Sequence, residues 1–294
     1  MSYRKDKVLS LATLEYANKT TEELQEMCRQ VLEDGLHGIC FSPYEEGQKP
    51  GDTISEEQIR RRMEILRPHT GWIRSFSCTE GNEAIPRIAK EYGIKTMVGA
   101  WLGDDPEINA QEVANLIEQA RSGYVDIAAV GNEVMLRGDL SGEELLGFIA
   151  QVRDAVPDLP VAYVDAYYEF EERPRIAEAC DLILANLYPF WEGCDLNYSL
   201  LYIKDMYRRA VNAARGKKVI VAETGWPSQG SAVQGAVPSY ENYLKYFLNI
   251  QKWALEEDLE VFYFSSFDEA WKVGAEGDVG AYWGLWDAEE QLKF

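Results

Sequence analysis

Val219-Ile220-Val221-Ala222-Glu223-Thr224-Gly225-Trp226-Pro227-Ser228 is an aliphatic run that stops on a carboxylate, and Val125-Asp126-Ile127-Ala128-Ala129-Val130-Gly131-Asn132-Glu133 does the same earlier in the chain. A strand buried on both faces reads as a near-continuous aliphatic run, because neither face meets water. Such strands belong to parallel sheets covered by helices. An acid where the run stops therefore stands at the rim of a core. Two rim carboxylates from separate strands are the minimum equipment for splitting a glycosidic bond.

Working outward from these two runs, strand-like segments recur at Gly38–Ser42, Trp72–Ser77, Lys95–Trp101, Asp126–Gly131, Pro160–Asp165, Asp181–Leu187, Lys218–Glu223 and Val261–Phe267. Amphipathic stretches separate them, near Ser55–Leu66, Glu83–Tyr92, Ala110–Arg121, Gly142–Ala155, Arg173–Ala179, Tyr198–Ala214 and Ser239–Glu256, with Thr21–Glu33 before the first strand. Thr20, Ser55 and Ser141 each have a Glu within three residues and an apolar run after it, the pattern of a capped helix start. Eight strands alternating with helices predict an α/β fold, a (β/α)8 TIM barrel. An open doubly wound sheet would carry a Gly-rich phosphate loop after an early strand, and the chain has none. One domain is expected over residues 1–294, with 1–37 as an N-terminal extension and a helix before the first barrel strand.

Among the 294 residues, 46% are hydrophobic, enough for a large core, and the net charge of −21 argues against nucleic acid or an anionic membrane as partner. A neutral sugar is indifferent to that charge, and the acidity itself reads as solubility. No apolar stretch is long enough to span a bilayer. A monomer is expected. The first ten residues lack the apolar core of a signal peptide. The expected location is cytoplasmic if Met1 is the native start, and periplasmic or secreted if a leader has been cut away. Five scattered cysteines without Cys-x-x-Cys spacing imply no disulfide framework. With only two histidines, His37 and His69, little material exists for a His-based triad or zinc site, so neither metal nor cofactor is expected.

In a barrel the strand ends converge on the face where catalysis sits. Glu133 would end the fourth strand and Glu223 the seventh, nearly opposite. Breaking an acetal needs a proton for the leaving oxygen and an anion or water for the developing oxocarbenium ion. A retaining pair about 5–5.5 Å apart supplies an acid and a nucleophile. Like charge and burial raise one of the two pKa values. Glu133 is assigned as acid/base and Glu223 as nucleophile, with the Asn132 amide placed to bond a hydroxyl beside the anomeric carbon. Taken singly, either Glu reads as a helix-capping strand-end acid. The matched placement and flanking residues favour the catalytic reading.

Those flanks carry a resemblance. Gly131-Asn132-Glu133 and Glu223-Thr224-Gly225-Trp226-Pro227-Ser228 resemble the two signatures of glycoside hydrolase family 17, the β-1,3-glucanase family. The likeness runs from about Gly38 to the C-terminus through Ala185-Asn186-Leu187-Tyr188-Pro189, Phe267-Asp268-Glu269 and Tyr282-Trp283-Gly284-Leu285-Trp286. It implies a retaining β-1,3-glucan hydrolase acting on laminarin-type chains, with the same two roles for Glu133 and Glu223. A transglycosylase that uses the same covalent intermediate is the alternative, and a silent carbohydrate-binding barrel a third reading that the intact pair disfavours. Gly99-Ala100-Trp101-Leu102, Val134-Met135-Leu136-Arg137-Gly138 and Tyr188-Pro189-Phe190-Trp191-Glu192-Gly193 resemble the bacterial subgroup. The segment between strands six and seven is one helix long, so the subdomain that deepens plant clefts is absent. Phe41 stands where plant members carry Tyr, and Gly280 where they carry Glu.

Sugar rings present C–H faces to aromatic side chains, while polar groups fix their hydroxyls. Tyr44, Tyr188, Trp191, Trp226, Trp271 and Trp283 are candidate platforms, Trp226 foremost, although each can equally be core. Asp165 is expected to contact substrate. Asp268, Glu269 and Lys272 read either as a surface ion cluster or as hydroxyl contacts that tune the pair. Arg74, costly to bury alone, is expected to meet a carboxylate of the catalytic face or to serve structure.

Overall fold

β-branched, aliphatic runs make the strands, and capped amphipathic segments make the helices that cover them. The computed structural model describes residues 14–294. In chain order the elements are α1 (Thr21–Asp34), β1 (Leu36–Cys40), α2 (Glu56–Leu66), β2 (Thr70–Ser75), α3 (Ile85–Glu91), β3 (Lys95–Ala100), α4 (Pro106–Arg121) and β4 (Ile127–Asn132). Then come α5 (Val134–Arg137), α6 (Gly142–Ala155), β5 (Val161–Ala166), α7 (Tyr167–Glu172), α8 (Pro174–Ala179), β6 (Ile183–Asn186), α9 (Leu196–Ala214), β7 (Val219–Thr224), α10 (Tyr240–Glu257), β8 (Val261–Tyr263) and α11 (Val273–Glu276). All eight strands are parallel and close into a barrel in sequence order, β1 joining β8 through Gly38↔Phe262 and Ile39↔Tyr263. The fold is the (β/α)8 barrel that the sequence predicts.

Capping boxes close α1, α2 and α6 at Thr20, Ser55 and Ser141, with Gln58 rather than a Glu completing the second. The other boundaries shift for identifiable reasons. Helix α4 starts at Pro106 instead of Ala110, because Asp105 accepts from the Glu107 and Ile108 amides and Pro106 occupies the first turn. The helix expected at Arg173–Ala179 is preceded by a second one, α7. Strand β8 stops at Tyr263, short of the expected Phe267. Beyond it Ser265 N bonds Trp283 O and Leu285 N bonds Ser265 O, so the chain pairs with its own C-terminal segment.

The two ends of the barrel differ. A groove of about 1040 Å³ lies at the N-terminal ends of the strands, lined by residues such as Val31, His37, Val211, Lys218 and Leu255. Both strand-end glutamates lie at the opposite, C-terminal end.

Candidate active site

The end of β4 is bent. Gly131 has φ 88° and Glu133 φ 52°, and the β4–β5 register shifts between Ala129 and Asn132. A side chain in the left-handed region costs roughly 1–2 kcal/mol, so Glu133 is held there by its surroundings. Its amide donates to Val164 O at 2.8 Å. Its carboxylate leaves the bend and accepts from Asn186 Nδ2 at 2.8 Å.

Glu223, by contrast, sits within strand β7, without a left-handed backbone, although the register to β6 and β8 shifts beside it. Its carboxylate forms an ion pair with Arg74 from β2, accepts from Tyr188 Oη at 2.8 Å, and accepts from Asn186 Nδ2 at 3.1 Å. Arg74 is 1% exposed. It also donates to Asn132 Oδ1 at 2.8 Å and Ala222 O at 3.2 Å, and its guanidinium lies 4.3 Å from the Phe76 ring centre. Next to Glu223, Gly225 lets β7 approach the next strand end. A Cβ there would fall 2.1 Å from Phe264 O.

One nitrogen, Asn186 Nδ2, thus serves both acids. Oxygens that share a donor at 2.8 and 3.1 Å lie within roughly 6 Å of each other, close to the direct-attack separation of about 5–5.5 Å. Burial pushes the Glu133 carboxyl up to about 7, and the Glu223 charge pushes the same way against the Asn186 hydrogen bond. Burial and the same Glu223 charge hold the Tyr188 phenol well above its ordinary value. The site therefore offers a carboxyl that keeps its proton near neutrality beside a carboxylate paired with a guanidinium.

The other predicted residues scatter. Glu269 and Lys272 form a buried pair at 2.8 Å, while Asp268 turns to Lys293 at 2.7 Å and the Gly284 amide at 2.8 Å. What reads as one cluster is thus two ion pairs, the second a clamp on the C-terminus. Tyr44 is buried against Trp271, ring centres 5.8 Å apart. Trp191 is 39% exposed and packs on Trp283. Trp226 lies in the core, fully buried between Phe190 and Tyr246, with Nε1 bonded to Val237 O at 3.0 Å. It presents no face to a sugar, and Trp283 is likewise buried. Asp165 has no exposed surface and spends its oxygens on the protein.

Three residues outside the predicted set lie on the same end of the barrel. Asn186 was visible as a polar strand end. Glu276, on α11, is mostly buried beside Lys272, and burial raises its carboxyl to about 7. It supplies a carboxylate near the place where Gly280 has none. Gly280 itself is packed so closely that a Cβ would fall 2.6 Å from Lys272 O. Trp101, just past β3, is 40% exposed with the Arg137 guanidinium 4.5 Å from its ring centre.

The BtgE/BtgC glycoside hydrolase domain model matches residues 38–284. The chain belongs to this glycoside hydrolase family. A Candida albicans glucan 1,3-beta-glucosidase is 27% identical over 262 residues, covering 79% of this chain and 83% of the relative. A Saccharomyces cerevisiae glucan 1,3-beta-glucosidase is 24% identical over 273 residues, 83% of this chain and 86% of its own. The crystal structure of a glycoside hydrolase family 17 β-1,3-glucanosyltransferase from Rhizomucor miehei superposes with a TM-score of 0.79 at 28% identity, covering 89% of this chain and 96% of the other. An endo-laminarinase from Formosa, at 20% identity and TM-score 0.73 over 88% of this chain and 85% of the other, shares the fold. In this family setting the bent β4 end and the paired β7 end form the candidate active site of a glycosidase.

Proposed function

We propose that the protein is a retaining β-1,3-glucan hydrolase acting on laminarin-type chains or their oligosaccharides. Glu133 protonates the leaving oxygen while Glu223 attacks the anomeric carbon, giving a glycosyl ester. Glu133, now ionised, then takes a proton from water as the ester is hydrolysed. The observation that carries this reading is the Asn186 amide shared by both carboxylates, which keeps their bonded oxygens within roughly 6 Å, short of the ~6.5–9.5 Å separation of an inverting pair. Arg74 orients Glu223 and occupies Asn132 Oδ1, leaving the Asn132 NH2 group to donate to a sugar hydroxyl. Tyr44, Tyr188, Trp191, Glu269, Trp271 and Lys272 remain the proposed substrate contacts.

The linkage class is supported by the names of the relatives, glucan 1,3-beta-glucosidases among them. Transfer to a sugar acceptor is a second reading, favoured by the likeness to the Rhizomucor miehei glucanosyltransferase. The bacterial subgroup rests on the motifs at Gly99–Leu102, Val134–Gly138 and Tyr188–Gly193, since these relatives are fungal. A single domain over 1–294, a monomer, and the absence of nucleic acid or membrane partners complete the proposal. The net charge of −21 supports the partner reading, and no helix among the described residues is long and apolar enough to cross a membrane.

NMR of the first product formed from a laminari-oligosaccharide tests the mechanism. The β-anomer is expected, and an α-anomer overturns it. A timed product profile separates the two acceptors: only shorter products mean water, and longer ones mean sugar.

A further inference from the structure

An α-helix leaves its first amides without partners, and the residue at its N-cap ordinarily folds its own side chain back to accept from them. At α5 the N-cap residue is Glu133, and its side chain makes no such bond. The carboxylate is committed to Asn186 and the site. The orphaned amides are met from the neighbouring strand. Met135 N donates to Tyr163 Oη at 2.9 Å and to Asp165 Oδ2 at 3.3 Å, and Leu136 N donates to Asp165 Oδ2 at 3.4 Å. Tyr163 Oη donates in turn to Asp165 Oδ2, and Ala166 N donates to Asp165 Oδ1 at 2.7 Å.

We propose that Asp165, together with Tyr163, is a positioning unit for Glu133: a cap supplied from β5 that frees the acid/base side chain for the cleft and fixes the bend that carries it. This rests on the reading of Glu133 as acid/base and replaces substrate contact as the role of Asp165. A sugar hydroxyl has nothing to bind there, because Asp165 is wholly buried and four protein donors occupy its oxygens. The unit touches the one turn that matters. Arg137 N closes that turn on Glu133 O at 2.8 Å, and the Tyr163 ring packs beneath it, 3.4 Å from where a Cβ of Gly131 would stand.

The arrangement also acts through charge. Glu133 faces Glu223 from β7, Asp165 from β5, Arg74 from β2 and the Asn186 amide from β6, with Tyr168 of α7 and Tyr188 also in range. The two acids favour its protonated form, and Arg74 and Asn186 oppose it. Removing the Asp165 charge therefore moves the alkaline limb of kcat/KM to lower pH.

Asp165→Asn and Tyr163→Phe test the proposal on two substrates. A laminari-oligosaccharide needs the acid to expel its sugar, whereas a dinitrophenyl β-laminaribioside has a leaving group that departs unprotonated. The expected result is a kcat loss of about 10- to 100-fold on the oligosaccharide with little change in KM, and a far smaller loss in the dinitrophenol burst. The alkaline limb shifts in Asp165→Asn and shifts less in Tyr163→Phe, which keeps the Asp165 carboxyl group and serves if Asp165→Asn fails to fold. Equal losses on both substrates, a loss confined to KM, or unchanged kcat overturns the proposal. Glu133→Gln is run alongside. Full oligosaccharide turnover in that variant defeats the acid/base reading itself. Selective loss there, without selectivity in the Asp165 and Tyr163 variants, defeats only the positioning role.

Discussion

The ends of β4 and β7 look alike as sequence, an aliphatic run closed by Glu, and differ in almost every physical respect. Glu223 continues its strand, and the cation beside it comes from β2. Glu133 sits in a left-handed bend, and its nearest charged neighbours include two other acids. Burial and the neighbouring acids favour the proton on Glu133, whereas Glu223 faces a guanidinium. In the proposed mechanism, backbone conformation and what the other strands deliver are what let two identical side chains divide acid and nucleophile work.

The comparison breaks most sharply at the proposed nucleophile. Glu223→Gln is expected to lower turnover of laminari-oligosaccharides by at least about 10⁴-fold, with near-UV circular dichroism unchanged. On the other side, Glu133→Gln is expected to cost about 10²- to 10⁴-fold on the same substrates, and with Glu133 up at about 7 the wild-type alkaline limb of kcat/KM falls near that pH. Arg74→Leu strands the Glu223 charge in a buried site. Denaturant titration at pH 7 is expected to show a loss of about 3–5 kcal/mol, and Leu at both positions 74 and 223 should recover most of it.

Proton linkage gives a smaller effect. Burial raises Glu133 and Glu276 to about 7, and Asp165 and Asp268 to about 6. Acids whose pKa is higher folded than unfolded bind more protons in the native state, so stability falls as pH rises through the interval between the two values. Tm should therefore decline between about pH 4 and pH 7, and less steeply in Glu133→Gln. The smallest change is expected at the exposed rings. Trp101→Ala and Trp191→Ala should each raise KM for long oligosaccharides by roughly 2- to 10-fold at constant Tm, as loss of a stacking face predicts.

The barrel was legible because its signal is repetitive: eight buried strands leave eight aliphatic runs, and capped helices leave Ser or Thr ahead of Glu. Both glutamates were legible because they interrupt that pattern. What escaped depends on three-dimensional convergence. Trp226 read as a sugar platform from its place in a motif, yet its ring turns between Phe190 and Tyr246. Asp268, Glu269 and Lys272 read as one group because they are neighbours in sequence, and the fold sends Asp268 to Lys293 instead. Short helices such as α5 and α7 carry too few residues to show a period. The role of Asn186 needed the distances to two strands at once.

That amide also works as a spacer. Its side chain spans a fixed number of bonds from β6, and both acids are tethered to the nitrogen at its tip. One asparagine thus links the proposed proton donor to the proposed nucleophile across the cleft. A shorter residue at 186 would lose that tether while Arg74, Tyr188 and the β4 bend still held each acid, and under the proposed mechanism a gap widened enough to admit a water favours the opposite anomer. Under the proposed mechanism stereochemistry becomes a matter of length, and part of that length is kept by a residue that takes no part in breaking the bond.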